Sequence, residues 1–449
     1  MKKSLLSLLL LSFSGTILAQ SWDVQNTGFT TASRGINQIE IVDANTVWAI
    51  AYDGVTPTNV VQEFTKTTNG GSLWTPGTIN VGNTALQFTN LSAISATTAW
   101  IGAFNPNTGI GGTWKTIDGG ATWNKQNPTK YATSGQSWFN GVHFFDANNG
   151  VTVGDPLAGE FEIYITSDGG ANWTSPNPAN IPDPEAAGEY GYGGSIAFAG
   201  NSFWFATSEG NLYRTTDMGA TWSKFSTPLP DFGGYSTPTA SGKVYFSDNN
   251  NGVILGTRNT GSSYILYTTT DGGANWDSGT AYAGGYNRAL AYVPNTLTIY
   301  ATGINATAPS VAGSSYSTDN GVTFTNIDSG TQRGFVSFLD ANTGWCAGFN
   351  TDSTTGGIFK FNPTLGVNDF KTNKQIIVTP NPSTGIIQLT GAKIKEVNVY
   401  DLLGKRVYNS KFNALNEVSI NLSSLQTGTY VLKATNELGA IQTMKILKN

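Results

Sequence analysis

The chain has 449 residues, of which 12% are charged and 12% aromatic, and its formal net charge is −5. So many aromatic residues exclude a disordered chain, and the acidic balance argues against a basic nucleic-acid binder. One cysteine, Cys346, and one histidine, His143, exclude an internal disulfide and a His-rich metal site, so we expect neither metal nor cofactor. The 54 glycines are a larger share of the 449 residues than the roughly 7% of average proteins. They predict many tight turns between short strands, as in an all-β protein.

The N-terminus has the three parts of a secretory signal peptide. Lys2 and Lys3 precede an apolar run from Leu5 to Phe13, and Ile17-Leu18-Ala19 forms a cleavage end. The run is too short for a permanent membrane span, so we expect no transmembrane segment in the mature chain. Residues 1–19 are therefore predicted to be removed on export from the cytoplasm.

A short turn motif recurs six times in the middle of the chain. Its copies are Thr67–Trp74, Thr116–Trp123, Thr166–Trp173, Thr215–Trp222, Thr269–Trp276 and Ser317–Phe324. Their third positions are Asn69, Asp118, Asp168, Asp217, Asp271 and Asp319, spaced by 48 to 54 residues. An Asx side chain accepts hydrogen bonds from its own turn, glycines allow positive φ, and the closing aromatic ring is buried. We expect these six Asx residues to be structural, at outer hairpins of four-stranded repeats.

The motif resembles the Asp-box, or bacterial neuraminidase repeat, of sialidase-like and sortilin-like β-propellers. A narrower resemblance covers Phe139 to Trp222, where Val153-Gly154-Asp155-Pro156 and Gly188-Glu189 are similar to a group of exported bacterial Asp-box propellers. That group is in turn similar to photosystem II assembly-factor-like propellers. The resemblance implies a propeller fold and says little about function.

A second signal, an apolar strand followed by another short strand, occurs seven times. Its copies are Ile39–Ala49, Leu91–Ile101, Val142–Val151, Ile196–Trp204, Val244–Val253, Leu290–Ile299 and Val336–Trp345. The seventh unit lacks a turn motif, but Trp22–Asn26 matches Trp123–Asn127, the segment that begins at the end of the second motif. The sequence thus predicts a seven-bladed propeller over residues 20–362, whose N-terminal strand closes the ring and removes its sheet edges.

Polar residues at the starts of the inner strands are candidates for ligand binding, since those positions face the central funnel. They are Arg34, Asn140, Arg288 and Arg333. Three arginines at equivalent positions suggest a clamp for an anion or carboxylate. Sialidases bind a carboxylate with three arginines, but Arg34-Gly35-Ile36 departs from their Arg-Ile-Pro signature, and sialidases that resemble this chain have six blades.

Asp155 and Glu189, both near predicted strand ends, are the candidate catalytic residues. Glycosidases need two carboxyl groups at a set separation, which a sequence does not give. The alternative is that both residues cap turns or pair with an arginine. We expect His143, between Val142 and Phe144, to be a buried structural residue, and Cys346 to be a small core residue.

The last 75 residues form a separate region of alternating strands. They include Val378–Gly385, Val399–Val407 and Leu425–Lys433. From the pattern, residues 375–449 are a small immunoglobulin-like β-sandwich after a linker at 363–374. The quoted segments resemble the type A C-terminal sorting domain of the type IX secretion system. This implies handling by the type IX secretion machinery and a secreted or surface-attached protein. The alternative is an ordinary immunoglobulin-like binding module.

Three functional hypotheses follow. The favoured one is an exported propeller that binds an extracellular glycan or protein without catalysis. The second is a sialidase-like glycoside hydrolase or lyase that acts at the funnel, and the third is a scaffold or adhesin platform.

Overall fold

The computed structural model describes residues 20–126, 131–136, 138–185, 188–233, 241–258, 263–305, 308–363, 376–436 and 441–449. The predicted signal peptide, 1–19, and nearly all of the predicted linker, 363–374, lie outside them. The chain divides into a unit that ends at Thr364 and another that begins at Leu365. The described residues contain no α-helix, only the 3₁₀ turns Pro178–Asn180 and Pro309–Val311.

The strands of the first unit form successive antiparallel sheets, numbered here in chain order. Sheet 1 contains β2 (Arg34–Ile41), β3 (Val47–Asp53), β4 (Glu63–Thr67) and β5 (Thr75–Thr78). Sheet 2 contains β6 (Gln87–Ala93), β7 (Ala99–Phe104), β8 (Gly111–Thr116) and β9 (Asn124–Lys125). Sheet 3 contains β10 (Phe139–Phe144), β11 (Gly150–Leu157) and β12 (Glu160–Thr166).

The next sheets repeat the same order. Sheet 4 contains β13 (Gly191–Ala199), β14 (Ser202–Thr207), β15 (Asn211–Thr215) and β16 (Ser223–Ser226). Sheet 5 contains β17 (Gly242–Phe246), β18 (Gly252–Arg258), β19 (Ser263–Thr269) and β20 (Thr280–Ala281). Sheet 6 contains β21 (Ala289–Tyr292), β22 (Ile299–Gly303), β23 (Gly313–Ser317) and β24 (Thr325–Ser329).

The last sheet is completed by the beginning of the described chain. Sheet 7 contains β25 (Val336–Asp340), β26 (Thr343–Asp352), β27 (Thr355–Asn362) and β1 (Ser21–Asn26). Its strand β26 also pairs with β2 at Phe349 and Gly35, so sheets 7 and 1 are joined into one eight-stranded sheet. Strand β1 pairs antiparallel with β27. The Gln25 side-chain oxygen then accepts the indole N–H groups of Trp74, at 3.0 Å, and Trp345, at 3.1 Å. One glutamine thus ties sheet 7 to sheet 1, and the N-terminal strand occupies the place left by the missing seventh motif.

Facing surfaces of neighbouring sheets make the core of this unit. Trp48 and Ile50 of sheet 1 pack in one cluster with Leu91 and Ile101 of sheet 2, and each is at most 2% exposed. Strands covered on both faces read as nearly continuous apolar runs, as in β3. Burial of each large side chain contributes about 1.5–3 kcal/mol.

The six recurrent turns share one hydrogen-bond pattern. At Asp118, one carboxylate oxygen accepts the hydroxyl of Thr116, at 2.8 Å, and the backbone N–H of Thr122, at 2.9 Å. Gly119 and Gly120 have φ values of 77° and 93°, which other residues rarely adopt. The equivalent side-chain oxygens of Asn69, Asp168, Asp217, Asp271 and Asp319 accept the same two bonds.

These bonds favour the ionised form and lower the pKa of Asp118, Asp168 and Asp319 to about 2. A carboxylate whose pKa falls on folding stabilises the folded state above its unfolded pKa of about 3.9, and this contribution is lost as the pH falls toward 2. We expect the triple Asp→Asn variant to show a smaller loss of the urea midpoint between pH 4.5 and 2.5 than the wild type. Asn69 shows that an amide accepts the same bonds, so the variant should still fold. An unchanged pH dependence would contradict this assignment.

A basic side chain latches each of four sheets to the next turn motif, a feature that the sequence analysis missed. Lys66 lies over the Trp48 ring, 4.4 Å from its centroid, and its ammonium donates to the Gly119 carbonyl at 2.9 Å. Lys115, Arg214 and Lys360 repeat this arrangement toward Gly169, Asp271 and Gly70. The carbonyl groups of these turns therefore accept hydrogen bonds from cationic side chains of the preceding sheet.

The second unit has its own sheet and core. Its strands are β28 (Ile377–Thr379), β29 (Ile386–Tyr400), β30 (Arg406–Asn421), β31 (Gly428–Asn436) and β32 (Ile441–Lys448). They run in the order β28-β29-β31-β32, and β30 also pairs with β29. Leu389, Val397 and Leu432 are fully buried in its apolar core. The predicted fold class, an all-β propeller followed by a small β-domain, is confirmed.

Candidate functional site

A cleft of about 970 Å³ lies beside the starts of β10 and β13 and the end of β11. It brings together three residues that the sequence proposed separately, Asn140, Asp155 and Glu189. We call this space the side cleft; it is the one to which the largest number of the predicted polar residues contribute among the described residues.

Asp155 is held in the side cleft through one of its two carboxylate oxygens. Oδ1 accepts the side-chain amide of Asn140, at 2.6 Å, and the backbone N–H of Gly191, at 3.0 Å. Burial raises the pKa of Asp155 to about 6, although these two bonds favour the ionised form. Among the described residues no hydrogen bond reaches Oδ2, so that oxygen is free to accept one from a ligand.

Glu189 is a buried structural residue in this structure. It is 1% exposed, and Oε1 accepts the hydroxyl of Thr207, at 2.5 Å, and the amide of Asn211, at 3.1 Å. Oε2 accepts the backbone N–H of Glu185 at 2.5 Å. Both oxygens are therefore occupied in holding the loop before β13, which agrees with the turn-capping alternative from the sequence.

Aromatic side chains that the sequence analysis did not single out form part of the cleft wall. Tyr190 is 41% exposed, and its ring meets that of Tyr192 edge-on, 5.2 Å between centroids. The Tyr192 hydroxyl is 2.9 Å from the Asp231 carboxylate, and Trp138 lines the cleft as well. The sequence signal for these rings was the segment Gly188–Tyr192, in which two tyrosines lie among glycines after a loop.

The central channel, about 640 Å³, is bordered by the first strands of the sheets. It shares Trp138, Asn140 and Gly193 with the side cleft, so the two spaces adjoin. Glu40 also lines the channel, and desolvation raises its pKa to about 8. His143 is 8% exposed and stacks on Phe198 at 4.2 Å, and burial lowers its pKa to about 3, so the ring is neutral.

Two of the three predicted arginines are neutralised by nearby carboxylates. Arg34 pairs with Glu63 at 2.8 Å and also lies 4.0 Å from Asp53. Arg333, 5% exposed, pairs with Asp328 at 2.5 Å. Both charges are therefore paired inside the fold, although the buried Nη1 of Arg333 has no hydrogen-bond partner among the described residues, and the structure does not assemble a three-arginine clamp.

Arg288 differs from these two. It precedes β21 and packs near Lys243 of β17, with both cations over the ring of Phe335. Within the described chain neither cation forms a salt bridge. Lys243 was missed, although it lies two residues before channel-lining Tyr245 and so on the same face of the strand.

Comparison with family models decides the nature of the second unit. Residues 377–449 match the model of the secretion system C-terminal sorting domain. The chain ends in a type IX sorting domain. The protein is therefore secreted or held at the outer cell surface, and the sorting domain implies handling by the type IX machinery.

Two solved structures, both of YCF48, support the propeller fold of the unit that precedes the sorting domain, and a third structure matches more weakly. YCF48 from Cyanidioschyzon merolae is 15% identical, with 77% of this chain and 99% of that chain covered and a TM-score of 0.51. YCF48 bound to D1 peptide is also 15% identical, with 77% and 96% covered and a TM-score of 0.50. An ancestral GH74 enzyme is 13% identical, with 94% and 63% covered and a TM-score of 0.46. At such identities the likeness concerns the fold alone.

The search of curated proteins finds no match to this chain. In the part of the chain that the structure describes, no helix is long and apolar enough to cross a membrane. Nor do the described residues of the propeller or the sorting domain place three or more His, Cys, Asp or Glu side chains where they would hold a metal ion.

Proposed function

We propose that the chain is a seven-bladed Asp-box propeller, residues 20–362, joined by a linker at 363–374 to the sorting domain at 375–449. Each of the seven antiparallel sheets is one blade, and β1 closes the ring. Export begins with removal of a signal peptide, residues 1–19, and ends with delivery by the type IX machinery. The recurrent turns and the pairing of β1 with β27 support this assignment.

The propeller binds an extracellular glycan in the side cleft. The observation that carries this proposal is the free Oδ2 of Asp155 in a cleft that Trp138 and Tyr190 also line. Sugar hydroxyls donate hydrogen bonds to such an oxygen, while the flat faces of aromatic rings pack against sugar C–H groups. A protein ligand is the alternative within the same function.

The test is binding of the purified protein to a glycan array, followed by calorimetry with the best ligand. Tyr190→Ala and Asp155→Asn should each weaken binding by about tenfold, since each removes a contact worth roughly 1–2 kcal/mol. Tyr264→Ala, on the outer part of sheet 5, is the matched control for loss of an aromatic ring. Absence of binding to any glycan, or equal losses in the control, would contradict the proposal.

A second candidate function is cleavage of a glycan by a glycoside hydrolase or lyase, which is the sialidase-like alternative. It is favoured by the Asp155 pKa of about 6, which suits a general acid or base. Hydrolysis of an array glycan at a saturating concentration that is abolished in Asp155→Asn, beyond the roughly tenfold loss of affinity, would establish it. A folded protein with neither binding nor hydrolysis would leave the scaffold or adhesin as the remaining reading.

A further inference from the structure

Lys243 and Arg288 bring two positive charges to the ring of Phe335, a residue that lines the central channel. Their charged groups lie 5.4 Å and 5.6 Å from the centroid of the Phe335 ring, which lines the channel. The Lys243 ammonium also lies 3.5 Å from the main-chain carbonyl of Arg288. The two residues come from neighbouring sheets, so their proximity is a product of the fold.

These charges are not neutralised within the described chain. Arg34 and Arg333 form salt bridges, whereas neither Lys243 nor Arg288 does. The Arg288 Nε–H is buried and has no hydrogen-bond partner. Burial, and then the charge of Arg288, lower the pKa of Lys243 to about 8. A desolvated ammonium beside a second cation, and a buried donor without a partner, are costly to maintain, and a bound anion reduces that cost.

We infer that Lys243 and Arg288 form a carboxylate-binding subsite for a hexuronic acid residue of the glycan. This inference rests on the proposed glycan-binding function. It names the chemical class of ligand, an acidic polysaccharide, and it adds Lys243 to the binding residues.

The geometry favours a carboxylate on a sugar ring. A guanidinium presents parallel N–H groups that match two carboxylate oxygens, and an ammonium adds a second charge. Phe335 offers an aromatic face. Tyr52 of sheet 1 lies beside Arg288, whose charge and side-chain hydrogen bond partly offset the rise in the Tyr52 pKa caused by burial. The channel adjoins the side cleft at Trp138, Asn140 and Gly193, so one chain of sugars can extend between them.

A peptide carboxylate is the less favoured occupant. Peptides are usually recognised by a sheet edge, an apolar groove or an acidic-motif cluster of arginines. The described walls of the side cleft instead combine aromatic rings with Asn140 and Asp155, whose polar groups match sugar hydroxyls.

The test is calorimetry of the full chain with tri-galacturonate and with its uncharged methyl ester. Wild-type protein should bind the acid at least about tenfold more tightly than the ester, and Arg288→Gln or Lys243→Gln should remove that preference. Both variants should unfold at the same or a higher urea concentration, because each relieves repulsion. Lys125→Gln, which removes an equal charge from exposed strand β9, should keep the preference.

The outcomes separate this inference from the proposed function. Equal binding of acid and ester, with Tyr190→Ala still weakening both, would overturn the subsite and leave glycan binding intact. Arg288-dependent binding of a tripeptide with a free, but not an amidated, C-terminus in preference to the sugar would also overturn it. If no glycan binds, the proposed function fails. Galacturonate monosaccharide then tests the subsite by saturation-transfer NMR, and a signal unchanged in Arg288→Gln would overturn it.

Discussion

A chain truncated after Asn362 is expected to accumulate in the periplasm, whereas the full chain reaches the outer surface or the medium. The reason is that residues 377–449 match the sorting domain and form a unit with its own sheet and core. The propeller has apolar clusters of its own and should remain folded. Fractionation of cells that express each form, with immunoblotting of the periplasm, outer membrane and medium, measures the effect.

A pair of point variants makes this test sharper. Leu432→Asp places a charge at a fully buried position of the sorting domain and should block delivery almost as completely as truncation. Lys433→Gln changes the exposed neighbour and should leave delivery unchanged. Normal surface delivery of the truncated chain would refute the role of the sorting domain.

Trp22→Ala is expected to destabilise the propeller by about 3–5 kcal/mol, the cost of emptying a buried tryptophan site. Trp22 is 8% exposed, its indole N–H donates to the Ser314 hydroxyl at 3.0 Å, and its ring lies 5.3 Å from that of Phe361. It thereby anchors β1 against β27 and fastens sheet 7 to sheet 6. Urea unfolding followed by tryptophan fluorescence and circular dichroism measures the loss.

Val24→Ala is the matched control for the closing strand. Val24 lies on β1 but is 65% exposed, so its truncation should change stability by no more than about 0.5 kcal/mol. Should Trp22→Ala fail to fold, Trp22→Phe keeps a ring but loses the bond to Ser314 and should show a smaller loss. A Trp22 variant as stable as the Val24 variant would show that β1 does not hold the ring closed.

Much of the fold was predictable because its signals are local. The spacing of the turn motifs predicted the sheets, and the match of Trp22–Asn26 to Trp123–Asn127 predicted that β1 would complete the last one. The contacts between basic side chains and the turn motifs were also predictable in part. A basic residue directly precedes the first threonine of three motifs, at Lys66, Lys115 and Arg214. What no local pattern showed is that each cation reaches the following motif, about 50 residues away.

The candidate site was less predictable because its properties depend on distant partners. Arg34 and Arg288 hold similar positions in the repeat, yet Glu63, 29 residues along the chain, neutralises only the first. Asp155 and Glu189 are both acidic and line the same cleft. Both oxygens of Glu189 accept hydrogen bonds, from Thr207, Asn211 and Glu185, whereas only one oxygen of Asp155 does so among the described residues.

The composition and repeats of this sequence determined an all-β propeller and an exported chain with a sorting domain. They did so because turn chemistry, strand alternation and sorting segments are properties of short stretches of chain. Only the tertiary structure decided which polar residues remain available to a ligand. Burial, charge neutralisation and hydrogen bonding arise from contacts between sheets. Among the described residues they leave Asp155 Oδ2 without a hydrogen bond and Lys243 and Arg288 without a salt bridge, while Glu189, Arg34 and Arg333 pair with groups inside the fold.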